Sequence, residues 1–113
     1  MAHEIKTCTP QEAHSVVTSD SSTILIDVRE DGELKEVAST IAKWYPMSTL
    51  NPETFASTSG VRKDQAVFVL CRSGGRSMRV ASELAAAGFS NLTNVAGGML
   101  AWQAAGLPVK KGS

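Results

Sequence analysis

The stretch that most constrains this chain runs Val67-Phe68-Val69-Leu70-Cys71-Arg72-Ser73-Gly74-Gly75-Arg76-Ser77. Four apolar residues, two of them β-branched, lead straight into a cysteine. Small and cationic residues follow, and then a helical pattern at Met78, Val80, Ala81, Leu84 and Ala85. That order predicts a buried strand, a tight loop and a helix start, with a thiol at the end of the strand. Gly74 and Gly75 let the backbone turn inward without Cβ clashes and point successive N–H groups at a common centre. The first helical turn adds unpaired N–H groups and the positive end of the dipole. Arg72 and Arg76 add fixed positive charge. The loop therefore favours an anion above Cys71, and Cys71 itself as thiolate.

Magnitudes support that reading. A free thiol has a pKa near ~8.5 and is mostly protonated at neutral pH. A helix N-terminus contributes roughly 0.3–1 kcal/mol, up to ~2 when partly buried, and about 1.4 kcal/mol is one pKa unit. Dipole and one nearby guanidinium together are of the right size to make the thiolate the main form at neutral pH. A strand-end cysteine with no such sequel would read as a small packed hydrophobe. The Arg-Ser-Gly-Gly-Arg that follows Cys71 makes it a candidate nucleophile, with Arg72, Ser73, Gly74, Gly75, Arg76 and Ser77 as the candidate substrate-binding loop.

This loop resembles the active-site loop of the rhodanese-like sulfurtransferases, and two further stretches carry the resemblance. Leu25-Ile26-Asp27-Val28-Arg29-Glu30 is similar to the second-strand signature of that family. Asn94-Val95-Ala96-Gly97-Gly98-Met99-Leu100-Ala101-Trp102, followed by Gly106-Leu107-Pro108-Val109, is similar to its C-terminal signature. The three motifs stand in family order from Leu25 to Val109. Related cysteine phosphatases use a loop one residue longer, which makes room for phosphate. Here four residues separate Cys71 from Arg76, a smaller ring of N–H donors suited to a terminal persulfide sulfur. The chain departs from the family at Ala38-Ser39-Thr40-Ile41-Ala42-Lys43-Trp44-Tyr45-Pro46. Ser39-Thr40 replaces an expected glycine-histidine pair, and the segment is about two residues short, so the local turn in one wall of the site differs.

The length of 113 residues is that of one domain, with the core at about 4–110. Hydrophobic residues at 42% and charged residues at 19% are globular values. Eleven basic and eleven acidic side chains cancel, so composition makes no case for nucleic acid or a membrane surface. No apolar run is long enough to cross a bilayer, and Met1 to Lys6 has no secretory pattern. Cys8 and Cys71 are far apart and outside any Cys-x-x-Cys pattern, which is neither a disulfide framework nor a zinc site. A reducing, cytoplasmic setting follows, and a monomer is the expectation.

Glu4 to Cys8 is expected as a short strand. Thr9-Pro10-Gln11-Glu12 is a helix start with Thr9 as N-cap, Pro10 at the first position and Glu12 closing a capping box. Ala13, Val16 and Val17 give that helix one apolar face, with His14 facing solvent or capping. Thr23 to Val28 is a strongly β-prone run, and Asp27 at its end caps a loop or pairs with Arg29. Glu30 to Val37 reads as a short helix. Trp44 and Tyr45 belong to the core or the rim, the core being preferred. A helix is expected from Asn51 as N-cap and Pro52 to about Ser57 or Thr58, ending at Ser59-Gly60. A strand over Ala66–Leu70, a helix over Arg76–Ala87 with Gly88 past its end, a strand over Leu92–Asn94 and a last helix through Trp102 and Gln103 complete the chain. Met99, Leu100 and Trp102 form a packing set, and Lys110 to Ser113 a frayed tail.

Strand–helix alternation implies an α/β domain with a largely parallel sheet, whose ligand site lies outside the carboxyl ends of the strands. The resemblance makes this a rhodanese-like, five-stranded sheet flanked by helices on both faces, with Cys71 at the floor of a shallow pocket. It also implies the chemistry: a sulfane sulfur passes from thiosulfate or a similar anion to a thiol, cyanide or protein cysteine through a Cys71 persulfide. No metal or organic cofactor is needed. Arg72 is the better candidate for substrate contact, while Arg76 either contacts substrate or pairs with an acidic residue. Ser73 either hydrogen-bonds the persulfide or only spaces the loop, and Ser77 is a helix-start residue. Three other readings stand beside this one: a protein-to-protein sulfur-relay carrier, a non-catalytic interaction module and a cysteine phosphatase.

Overall fold

A computed structural model describes residues 5–111. The elements are β1 (Lys6–Cys8), α1 (Pro10–Ser19), β2 (Ile24–Asp27), α2 (Asp31–Glu36), β3 (Ala38–Ser39), β4 (Lys43–Trp44), α3 (Phe55–Ser59), β5 (Val67–Leu70), α4 (Gly75–Ala86), β6 (Leu92–Val95), α5 (Gly98–Ala104) and β7 (Val109–Lys110). Glu4, at the start of the first expected strand, lies outside the described residues. Five strands form one parallel sheet in the order β1-β6-β5-β2-β4.

The sheet is parallel because its inner strands are apolar on both faces. Ile24-Leu25-Ile26 and Val67-Phe68-Val69-Leu70 are all buried, so each face must be covered. Alternation sorts the side chains. Ile24, Ile26, Val67 and Val69 pack with Phe55 of α3, Val80 and Leu84 of α4, and Phe89. Leu25, Phe68 and Leu70 pack with Ala13 of α1 and with Met99 and Trp102 of α5. This is the expected α/β architecture with helices on both faces.

The helix starts follow local chemistry. Thr9 Oγ1 accepts from the Glu12 N–H at 3.1 Å and the Glu12 carboxylate accepts from the Thr9 N–H at 2.9 Å, a complete capping box. Gly88 stands just past α4 as expected, with Ala87 as the C-cap.

Several expectations are corrected. α3 begins at Phe55 rather than after Asn51: Asn51 Oδ1 accepts from the Glu53 N–H at 2.9 Å, as a cap would, but the backbone then closes a turn, with the Thr54 N–H donating to the Asn51 carbonyl at 3.2 Å. Val16 of α1 is exposed, and so is Leu100, which leaves Met99 and Trp102 as the buried members of their set. Trp44 is at the rim: its ring is half exposed while Nε1 donates to the Arg29 carbonyl at 2.8 Å. Tyr45 packs edge-on against Phe55 at 5.0 Å. His14 is half-buried, with its ring edge-on to Trp102 at 5.9 Å. Lys110 is not frayed, because β7 pairs antiparallel with β3, placing Ala38 opposite Lys110 and Ser39 opposite Val109. The divergent segment after α2 thus begins as a strand clamped by the C-terminal end of the described chain. It then supplies β4 to the sheet edge, where Lys43 and Trp44 pair with Ile26 and Asp27.

Candidate active site

Strand parity aims the thiol. Val67, Val69 and Cys71 alternate onto the face covered by α4, so Sγ points at the helix that the same loop begins. Cys71 is 1% exposed. Gly74 is the N-cap of α4, with φ +110° and no side-chain cap. Its N–H is therefore free to turn inward, and it donates to Sγ at 3.0 Å. Gly75 opens the helix, and Ser77 on the buried side of its first turn brings Oγ to 3.3 Å from Sγ.

Burial alone would raise the Cys71 pKa. The Ser77 hydroxyl and the backbone N–H groups of Ser77, Gly74 and Ser73 outweigh it, and the thiol lies below its ordinary value. Cys8 shows the opposite balance. It is half-buried at the end of β1, and desolvation, followed by the negative charge of Glu12, pushes its pKa up to about 11.

The arginines divide the work. Arg76 lies in a two-point pair with Glu33 of α2, Nη1 to Oε1 at 2.6 Å and Nη2 to Oε2 at 2.7 Å. Of the two roles open to its guanidinium, the structure has the acidic partner. That pairing holds the Glu33 carboxyl down at about 2. Arg29 is buried against Asp27 with contacts of 2.8–3.0 Å, and its Nη2 also donates to the Val37 carbonyl. Arg72 is exposed, and its guanidinium has no hydrogen-bond or ion-pair partner among the described residues. It borders a pocket of about 120 Å³ together with Arg29, Glu33, Val37, Met99 and Leu100. Ser73 is exposed beside it. A larger pocket of about 210 Å³ lies around Thr23, Ile24, Gly60 and Gln65, at the amino end of the strands and away from the thiol.

Two further elements hold the loop. The Met99 N–H donates to the Cys71 carbonyl at 2.7 Å and the Leu100 N–H to the Arg72 carbonyl at 3.1 Å. That approach needs Gly98, where a Cβ would stand 2.4 Å from the Cys71 oxygen and 2.6 Å from the Arg72 carbonyl carbon. From β6, Asn94 reaches Ser77, as Oγ donates to Oδ1 at 2.5 Å. Ser77 is expected in the substrate loop and at the helix start, Asn94 in a strand and the C-terminal signature, and Glu33 within a helix; their contacts with Asn94, Ser77 and Arg76 join separate segments. A signal for Asn94 was available: it shares strand parity with Leu92, a core position, yet is polar.

The sequence profile of the rhodanese-like domain matches residues 9–105. The chain belongs to the rhodanese-like domain family. It is 37% identical over 100 residues to YtwF of Bacillus subtilis, whose given name includes "sulfurtransferase", covering 88% of this chain and 92% of that protein. It is 31% identical over 86 residues to a sulfurtransferase of Allochromatium vinosum, covering 76% of this chain and 77% of the relative. The crystal structure of the Alr3790 protein from Anabaena sp. superposes with a TM-score of 0.81 at 22% identity, over 93% of this chain and 92% of that one, a likeness of fold. Other relatives are longer. The chain spans 47% of a Synechocystis protein and 26% of an Arabidopsis chloroplastic rhodanese-like/PpiC domain protein. No helix among the described residues is long and apolar enough to cross a membrane.

Proposed function

We propose that this rhodanese-like domain is a sulfurtransferase that works through a persulfide on Cys71. The Cys71 thiolate attacks the outer sulfur of thiosulfate or a similar donor. The sulfur–sulfur bond of the donor breaks and sulfite leaves with the electron pair. The acceptor, cyanide or a thiolate, then takes the outer sulfur, and Sγ leaves again as thiolate.

The observation that carries this reading is the hydrogen bonding of the thiol. Sγ accepts from the Gly74 N–H and lies beside the Ser77 hydroxyl, and these donors favour its anion within a buried site. Arg72, the loop cation without an acidic partner among the described residues, is assigned to the leaving sulfite. Ser73, Gly74, Gly75, Arg76 and Ser77 line the remainder of the substrate loop, with Arg76 contributing charge rather than a free guanidinium. The names of the relatives support sulfur transfer, and the reaction requires a compartment reducing enough to keep Cys71 a thiol.

A protein cysteine is the alternative acceptor. The test is thiosulfate:cyanide activity of wild type and Cys71→Ser, with intact mass measured after thiosulfate alone. Thiocyanate formation and one added sulfur, both lost in the variant, are expected. Sulfur uptake without turnover would assign the relay role. Uptake from neither thiosulfate nor a low-molecular-weight persulfide would sink the reading.

A further inference from the structure

The Ser77 hydroxyl has one hydrogen and more than one place to put it. Oγ is 2.5 Å from Asn94 Oδ1 and 3.1 Å from the Gly74 carbonyl oxygen. It is also 3.3 Å from Cys71 Sγ, where the thiol donates to it. While sulfur carries its own hydrogen, the Ser77 proton is free for Asn94. Once that hydrogen has gone to solvent, Sγ no longer donates to Ser77 but can accept from it, and the hydroxyl can serve it only by turning away from Asn94.

Asn94 itself is fixed. It is 6% exposed, lies in the β-ladder between Val69 and Thr7, and its Nδ2 points to the Gly74 carbonyl at 3.4 Å. Gly74 is the residue whose N–H donates to Sγ. One buried amide therefore touches the Ser77 hydroxyl and the carbonyl of the residue whose N–H serves the sulfur.

We propose that Asn94 is a positioning residue for Cys71, acting through Ser77: its side-chain oxygen holds the hydroxyl proton while Sγ carries hydrogen or a second sulfur, and yields it to Sγ when the thiolate forms. The statement about the second sulfur rests on the proposed persulfide reading; the statement about the thiol does not. In the last half of sulfur transfer, the acceptor thiolate attacks the outer sulfur, the bond from Sγ to that sulfur breaks, and Sγ keeps the pair. The Ser77 hydroxyl then turns to the new thiolate without any heavy atom moving. The charged groups bordering the loop are Arg72 and Arg76 within it, Glu33 and Glu36 from α2, and Arg29 and Glu30 from the segment before α2; Glu33 is already paired with Arg76, and Arg29 with Asp27. β5, β6 and α5 bring no titratable side chain, and Arg79 and Glu83 of α4 are an exposed pair.

The test is the pH dependence of Cys71 alkylation by iodoacetamide, read by peptide mass, in wild type, Ser77→Ala, Asn94→Asp and the double variant. Ser77→Ala moves the midpoint upward, making alkylation below it about tenfold slower, one pKa unit. Asn94→Asp places a stronger acceptor on the hydroxyl and slows alkylation about three- to tenfold when Ser77 is present. In the Ser77→Ala background only the bare charge of the carboxylate remains, and the effect falls by half or more. Asn94→Ala gives the opposite sign, faster alkylation with Ser77 present and no change without it, and carries the test alone if the aspartate variant does not fold. Equal effects in both backgrounds would reduce Asn94 to a structural residue and overturn the proposal. Alkylation needs no sulfur donor. A chain that fails to accept sulfur but shows the coupling would refute the persulfide and leave the positioning of Cys71 by Asn94 through Ser77 standing.

Discussion

Gly74 and Gly75 are neighbours in the loop and face different constraints. Gly74 has φ +110°, a conformation that costs a side chain of order 1–2 kcal/mol, whereas Gly75 has ordinary backbone and open space where a Cβ would stand. Gly74→Ala is expected to lower stability by about 1–2 kcal/mol and to slow alkylation of Cys71, because the Gly74 N–H is displaced from Sγ. Gly75→Ala is expected to leave stability unchanged or raise it by up to ~1 kcal/mol, since alanine favours the helix it begins. Denaturant unfolding separates the two. The cysteines make a second contrast. Cys71 lies below the ordinary thiol value while Cys8 is pushed up to about 11, so near neutral pH limiting iodoacetamide is expected to label Cys71 first. Raising the pH increases labelling of Cys71 until its thiolate is fully formed, with Cys8 following only in strong alkali. Peptide mass mapping reads both.

Among the elements, α2 is tied to the loop by one ion pair. Glu33 and Arg76 are 43 residues apart, and each side chain is about a third exposed, 28% and 32%. The Glu33 carboxyl falls from an ordinary 4.5 to about 2, chiefly through the Arg76 hydrogen bonds. A carboxyl depressed on folding adds stability that is complete above its unfolded value and is lost as pH falls through the folded one. The difference in unfolding free energy between wild type and Glu33→Gln is therefore expected to be constant from neutral pH down to about 5 and to shrink toward about 2. After allowance for solvent screening, about 1–2 kcal/mol is expected at neutral pH. Urea titrations at several pH values would show it; a difference that grew in acid would contradict the pairing. At the other side of the loop, α5 needs Gly98. Gly98→Ala would drive a Cβ into the Cys71 and Arg72 backbone, so a loss of several kcal/mol and of thiol reactivity together is expected.

At the scale of the molecule, Trp102 closes the core beneath α1 and α5. It is fully buried, and Nε1 donates to the Pro108 carbonyl at 3.1 Å. Trp102→Ala is expected to cost about 3–5 kcal/mol, a large part of the ~5–15 that a domain possesses. The other tryptophan, Trp44, is at the rim. In Trp44→Phe the remaining emission is expected to resist acrylamide and to shift red in one cooperative step on unfolding. In Trp102→Phe it is expected to be quenched readily in the folded state. Equal quenching of the two variants would contradict the packing.

Much of this protein follows from local order along the chain. The apolar runs of β2 and β5 dictated a parallel sheet covered on both sides, because strands apolar on both faces need two helical layers. The Thr9 box and Gly88 marked helix ends through hydrogen bonds made within a few residues. The strand, the cysteine and the glycines after it put the thiol at the carboxyl end of the sheet. Long-range geometry decided the remainder. Which arginine is engaged and which stays open depended on Glu33, 43 residues from Arg76 in sequence. The pairing of β3 with β7 and the meeting of Asn94, Ser77 and Cys71 likewise join segments that no short-range pattern connects. Sequence periodicity reports the face on which a side chain lies; only packing brings faces of distant elements to hydrogen-bonding distance.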